Sequence, residues 1–281
     1  MKDSYSNSDS DPSDPPAAVF VTPGTKIVDI SASGILHVDS STHIVDNAVV
    51  AATTGYARTH TMSNAGDTGT ATTTTVITVD HGSRRYVPRK GDSVLGVVTK
   101  QGNAEYHEVD VGRGRNRVAL LPVLGFDNAT KRNRPMLKAG DVVSGKVVEV
   151  FDGDRVVMDC VNESASSASS ASSASSEGYG PIDRAGGGMV WRVTPAYARW
   201  LLTRGGIEVL RVLGGKVPFE IVVGVNGMFW VASQEKDKAR AFLETCIVGS
   251  TICELASDFS GGDGVDAKRV LQVLKTEMAA R

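Results

Sequence analysis

Lys131, Arg132 and Arg134 place three cations within four residues, a density suited to pairing with phosphate oxygens or with an acidic partner protein. Such a run serves equally well as a solvated charged loop, and the residue types alone do not choose among these roles. Phe126 precedes the cluster and Pro135 closes it, so an irregular loop is expected there. Tyr106 and His107 are adjacent, and in a strand only one of two neighbours can face outward. Tyr106 is the expected outward residue, placed to stack on a base while the cations follow a backbone.

Catalytic chemistry finds no comparable grouping. His37, His43, His60, His81 and His107 are scattered, without a His-x-x-x-His pair or a cysteine partner to hold a metal. Cys160, Cys246 and Cys253 have no ligand spacing, and their odd number suits free thiols in a reducing compartment. The Asp258 to Asp266 stretch is superficially like a calcium loop, but that spacing would require a carboxylate where Arg269 stands. No Gly-rich phosphate loop opens a helix and no nucleophile comes with an evident base. The expectation is a chain without catalytic residues, metal or cofactor.

The elements that must position these residues follow from composition and pattern. With 281 residues, 41% apolar content and a net charge of −2, the chain suits two or three small domains. No apolar run approaches the roughly 18 residues that span a bilayer, and the first residues are rich in Ser, Asp and Pro, so a disordered tail rather than a leader is expected over residues 1–19. Charge is uneven. Residues 1–83 carry three basic and nine acidic side chains, residues 84–160 fourteen and ten, and residues 161–281 thirteen of each. Residues 164–176 are almost pure Ala and Ser, and residues 66–75 form a Gly/Thr-rich stretch read as an enlarged hairpin loop.

These breaks predict a mixed multi-domain fold: an N-terminal β domain over residues 20–83, a five-stranded β-barrel of the OB type over 84–162, an Ala/Ser-rich linker over 163–177, and a C-terminal α/β domain over 178–281. The barrel reading rests on short strands near residues 93–100, 106–111, 118–122, 141–151 and 155–160, separated by Gly and Asp turns. Gly91-Asp92 and Gly140-Asp141 open two of them alike, with aspartates expected to receive turn amides.

The last domain reads strand, helix, helix, strand, strand, helix, the order of a type I KH domain. Thr194-Pro195 supplies an N-cap and first-turn proline. Val217–Val223 and Met228–Val231 flank Gly224-Val225-Asn226-Gly227, a hairpin expected to use a tight primed turn with Asn226 and Gly227 at positive φ. Ala239, Phe242, Leu243, Cys246 and Ile247, and then Val270, Val273, Leu274 and Met278, fall at helical spacing and are expected in the core. KH domains that grip RNA do so through a Gly-x-x-Gly loop between their first two helices. Here that junction is Thr203-Arg204-Gly205-Gly206, which lacks the motif.

Arg85-Tyr86-Val87-Pro88, the Gly-Asp-x-Val-x-Gly start at Gly91, Ala129 to Pro135 and the Gly224 to Gly227 turn occur in an order that resembles the S1/KH cap subunits of the eukaryotic RNA exosome. The resemblance covers residues 86–160 and 178–233; before Ser83 it is confined to Val21-Thr22-Pro23-Gly24. It implies an S1 barrel that binds single-stranded RNA, with Lys131, Arg132 and Arg134 in contact with RNA or a neighbouring subunit beside the outward Tyr106, and a structural motif of Gly224, Asn226 and Gly227 that packs the KH domain on the barrel. Met228 departs from the basic residue relatives often carry. The resemblance further implies a noncatalytic role in 3′ processing and decay, including processing of ribosomal RNA. The implied partners are a ring of RNase-PH-like subunits, among them ribosomal RNA-processing proteins 45 and 46, and other cap subunits, with no membrane. The implied location is nucleus, nucleolus and cytoplasm. Within the family the sister cap subunit is the alternative, against which residues 129–135 argue. Outside it stand a free S1-type protein of translation or the ribosome, and a ribonuclease with unrecognised carboxylates.

Overall fold

The computed structural model describes residues 19–30, 35–38, 41–65, 71–80, 85–100, 105–114, 117–151, 155–161, 178–182, 187–259 and 267–279. Two compact units divide the chain, residues 1–81 and 82–281. The first unit holds β1 (Val19–Val21), β2 (Lys26–Asp29), β3 (Ile35–Val38), β4 (Thr42–Val45), β5 (Ala48–Ala51), β6 (Gly55–Ala65) and β7 (Ala71–Asp80). They form two sheets, ordered β1-β6-β7-β3 and β2-β5-β4. Val21, Ala51, Ala57 and Val79 form its small core. Asp46 and Asn47, at φ 47° and 60°, make the primed two-residue turn between β4 and β5. Residues 71–75, expected in a loop, are instead strand: Ala71 pairs with Ala65 and Thr75 with Thr61. Their threonines are β-branched and favour a pleated surface despite the low-complexity look of the segment. Residues 66–70, the Ala/Ser linker and the expected tail lie outside the described residues, except for Val19, which belongs to β1.

The second unit begins with a closed five-stranded barrel: β8 (Ser93–Lys100), β9 (Tyr106–Asp110), β10 (Ala119–Pro122), β11 (Val142–Phe151) and β12 (Arg155–Asp159), ordered β12-β10-β9-β8-β11 and closed by β11–β12 pairing. β13 (Gly180–Ile182) adds to β11. The two Gly-Asp openings fasten β8 to β11. Gly91 and Gly140 both sit at φ +94°, where glycine is favoured. Gly91 N–H donates to Val147 O and Val147 N–H to Asp92 O, while Gly140 N–H donates to Val98 O and Val98 N–H to Asp141 O. Each opening therefore pins the far end of the other strand. The carboxylates take turn amides, Asp92 from Arg89 and Asp141 from Lys138. The Tyr86 hydroxyl also donates to Asp92, at 2.6 Å. Inside, Val94, Val98, Val109, Leu121, Val147 and Met158 are buried. Cys160 is fully buried too, and burial pushes its thiol up to about 12.

The remainder is β14 (Met189–Arg192), α1 (Pro195–Leu201), α2 (Arg204–Gly214), β15 (Phe219–Val223), β16 (Met228–Ser233), α3 (Lys238–Asp258) and α4 (Ala267–Ala279). Its antiparallel sheet, ordered β14-β16-β15, carries the helices of a KH domain, extended by α4. Thr194 caps α1, its hydroxyl accepting from Tyr197 N–H at 3.3 Å. The core-facing stripe of α3 differs from the expected one: Ala239, Phe242 and Leu243 are exposed, whereas Ala241, Thr245, Val248, Ile252 and Leu255 are buried. Thr245 and Thr251 can face inward because each hydroxyl donates to the carbonyl one turn back, at 2.8 Å to Ala241 and 2.7 Å to Ile247. Met278 is likewise exposed, unlike Val270, Val273 and Leu274.

Barrel and KH sheet share a third apolar cluster, in which Leu95 and Val142 from the outer barrel face meet Met228, Trp230 and Ala232. The hairpin turn locks it. The turn is not primed: Gly227 N–H donates to Gly224 O and only Gly227, at φ +81°, takes positive φ, so Val225 and Asn226 form an ordinary turn closed by a left-handed glycine. That geometry sends the Asn226 side chain into the seam, where it is 3% exposed. Its oxygen accepts from Leu95 N–H at 3.2 Å, and its amide donates to Leu95 O at 2.7 Å and Val111 O at 2.9 Å. Val225 N–H adds a bond to Ser93 O, and Val193 N–H one to Gly227 O. A Cβ on Gly224 would stand 2.5 Å from Leu95 N, so the turn lies flat on β8 only as glycine.

Asn226→Ala would leave three buried backbone groups unpaired at about 1–3 kcal/mol each. The expected loss is about 3 kcal/mol or more, a fall in Tm of roughly 6–12 °C for a unit of this size by calorimetry. A loss under about 1 kcal/mol would show the clamp to be incidental.

Tyr86, 3% exposed, gives a pH signature. Burial holds its phenol above the ordinary range and the Asp92 carboxylate adds to the effect. The folded chain keeps this proton when the unfolded chain begins to lose it near pH 10, so the stability it confers is present below about pH 10 and lost above it. Tyr86→Phe should lower stability at pH 7 yet flatten the alkaline fall by about 1.4 kcal/mol per pH unit, read from denaturant melts between about pH 9 and 11. An unchanged slope would contradict the assignment.

Candidate nucleic-acid interface

The outer face of β8 and β11 is covered by the KH sheet, which leaves β9 and β10 as the open face of the barrel. Along β9 the pleat alternates: His107, Val109 and Val111 are buried, and Tyr106, Glu108 and Asp110 face out. Tyr106 is 39% exposed, opposite Pro122 on β10. His107 is 4% exposed, and its pKa is lowered, first by burial and then by the positive charge of Arg134. The imidazole is therefore neutral at pH 7, and Arg134 lies close enough to Tyr106's neighbour to act on it electrostatically.

The basic loop is anchored at both ends. Phe126 is buried and bridges to Cys160, whose N–H donates to Gly125 O at 2.7 Å, and Leu137 is 3% exposed. Between them Asn128 takes φ +56°, and Thr130 and Asn133 exchange backbone hydrogen bonds at 2.8 and 3.2 Å. Lys131, Arg132 and Arg134 stand exposed on this tight turn and make no ion pair among the described residues. Their charge is available to a ligand, and the buried anchors fix where it is presented. Gly224, Asn226 and Gly227 are placed elsewhere, buried in the seam, where they contact β8 and the end of β14.

The junction where a KH domain would clamp RNA is closed. Only Leu202 and Thr203 separate α1 from α2, and Thr203 Oγ1 donates to Trp200 O at 2.6 Å. Gly206 is packed so tightly under α1 that a Cβ would stand 2.5 Å from Leu201 O. Gly206 serves the helix crossing, and no loop is left to wrap a phosphate.

One cationic segment escapes the sequence reading. Gly112-Arg113-Gly114-Arg115-Asn116-Arg117 connects β9 to β10, and its alternation of Gly and Arg was the available signal. Asp110 organises its start: one carboxylate oxygen accepts from Gly112 N–H at 2.8 Å, and the other from Arg192 of β14 at 2.7 Å. Arg113 is 4% exposed, its pKa lowered by burial and then by Arg117. Among the described residues no group of three or more His, Cys, Asp or Glu side chains could hold a metal, and no helix is long and apolar enough to cross a membrane.

Two family models match the chain: the S1 domain of exosome complex component RRP40 over residues 86–170, and a KH domain over residues 188–237. The exosome complex component RRP40 of Bos taurus is 34% identical over 178 residues, 63% of this chain and 57% of the relative. The chain thus spans little more than half of that relative's length. Exosome complex component rrp40 of Schizosaccharomyces pombe is 30% identical over 183 residues, 64% of this chain and 68% of the relative. A crystal structure provisionally described as an exosome complex RNA-binding protein superposes with a TM-score of 0.50 at 23% identity, covering 70% of this chain and 99% of that one, a likeness of fold.

Proposed function

The chain belongs to the family of exosome complex component RRP40, and we propose that it acts as a noncatalytic, RNA-binding cap subunit of an RNA exosome. In this reading it braces a ring of RNase-PH-like subunits, ribosomal RNA-processing proteins 45 and 46 among them, beside the other cap subunits. It guides single-stranded RNA toward a nuclease on another chain for 3′-to-5′ processing and decay, in nucleus, nucleolus and cytoplasm. The observation that carries the proposal is the division of labour inside the second unit. The KH sheet is buried against β8 and β11 and its clamp position is closed, while Tyr106 and an anchored loop with three exposed cations remain open. Aromatic stacking beside a cationic track is what an OB-type barrel uses to hold a single strand. Docking of the loop on an acidic subunit is the second reading, favoured by Met136, which is 69% exposed beside the cations.

Replacing Lys131, Arg132 and Arg134 with Ala should weaken RNA binding and reduce the slope of log affinity against log salt by roughly 0.7 for each lost phosphate contact. Melting should change little, because exposed loop charges contribute about 0–1 kcal/mol. The wild-type chain should leave single-stranded RNA intact with magnesium or phosphate present. If the triple variant binds RNA normally but no longer copurifies with the ring, the cluster is a protein-docking site; if the wild type shortens RNA progressively, the noncatalytic reading fails.

A further inference from the structure

A groove of about 740 Å³ lies along the barrel–KH seam, within the size range of small-ligand sites. A β-bulge opens it. The β8–β9 register slips between Val98 and Lys100, and Thr99 Oγ1 holds the displaced strand by donating to Glu108 O at 3.2 Å. Bulges of this kind recur beside binding sites because they re-aim neighbouring side chains. Gly114, at φ +103° with open space where a Cβ would stand, leaves the backbone on the opposite wall approachable.

The charged groups in the groove are of two sorts. Asp110 has both oxygens committed, to Gly112 N–H and to Arg192, and so positions the guanidinium at one side. Glu108 and Lys100 are cross-strand partners in the register, yet they form no ion pair among the described residues. Glu108 is half-buried and Lys100 exposed. Both therefore remain available to a ligand, with the side chain of Val118 as apolar floor.

A carboxylate offers only acceptors, in a pair. Guanine presents two adjacent donors on its Watson–Crick edge, N1–H and the N2 amino group. Adenine, cytosine and uracil each set a single donor beside an acceptor that a carboxylate repels. Such an edge is free only in an unpaired strand. We propose that this groove reads a guanosine of single-stranded RNA, with Glu108 accepting from N1–H and N2–H and with Lys100 and Arg192 flanking the neighbouring phosphates. This deepens the RNA-binding reading above and rests on it.

The test uses the full chain and two labelled RNAs of equal length, an oligouridine and the same oligomer with one central guanosine. The guanosine-bearing RNA should bind about fivefold or more tightly, the least that one bidentate base contact yields. Glu108→Ala should abolish that difference without weakening oligouridine binding, and Lys100→Ala should weaken both RNAs equally, with thermal melts confirming that each variant is folded. Equal affinity of the wild type for the two RNAs, or a preference that survives in Glu108→Ala, overturns the inference while leaving RNA binding intact. Failure to bind either RNA at low salt overturns the RNA-binding reading itself, and the inference with it.

Discussion

The carboxamide of Asn226 is the contact on which the second unit depends. It satisfies both backbone groups of Leu95 and the carbonyl of Val111 from a position across the seam, in a site where each would otherwise be buried without a partner. The requirement explains the residues around it. Gly224 must lack a side chain so that the turn can lie on β8, and Gly227 must adopt a left-handed conformation to bring the chain back into β16. The apolar cluster of Leu95, Val142, Met228 and Trp230 then closes behind the amide. Barrel and KH sheet become one packed body rather than two tethered ones.

Magnitudes separate what holds this body together from what it presents. The Arg192–Asp110 pair spans the seam, but with side chains 59% and 32% exposed it contributes little to stability. Its effect is to fix where a guanidinium stands. Arg211–Glu208 and Lys26–Asp29 are exposed pairs of the same modest kind. The buried amide and the reciprocal Gly-Asp openings do the holding, and they sit on β8 and β11, away from the open face. The open face is thereby left to β9, β10 and their loops, where charge can be exposed at no structural cost.

Much of this was legible in the sequence because the signals are local. Gly91-Asp92 and Gly140-Asp141 mark strand starts, Thr194-Pro195 marks a helix start, and the strand and helix order of the barrel and KH domain follows from short periodic runs. What stayed hidden depends on contacts distant in the chain. Asn226 meets Leu95 across 131 positions, so the local Asn-Gly signal points to a primed turn although the seam requires the side chain inside. The inward face of α3 includes threonines whose hydroxyls are satisfied within the helix, and hydropathy spacing therefore picked Phe242 and Leu243, which are exposed. At the site, the adjacency of Tyr106 and His107 showed that one must face out, whereas the groove at Glu108 needed both the bulge at Thr99 and the approach of Arg192 from β14.

The central claim, that RNA lies on the open barrel face while the KH domain serves as a brace, is tested most directly by ultraviolet crosslinking of the full chain to a short single-stranded RNA, with the adducts mapped by mass spectrometry. Adducts are expected on peptides containing Tyr106 and residues 131–134, and none at the α1–α2 junction over residues 202–207. Adducts concentrated at that junction, with the barrel face unmarked, would contradict it.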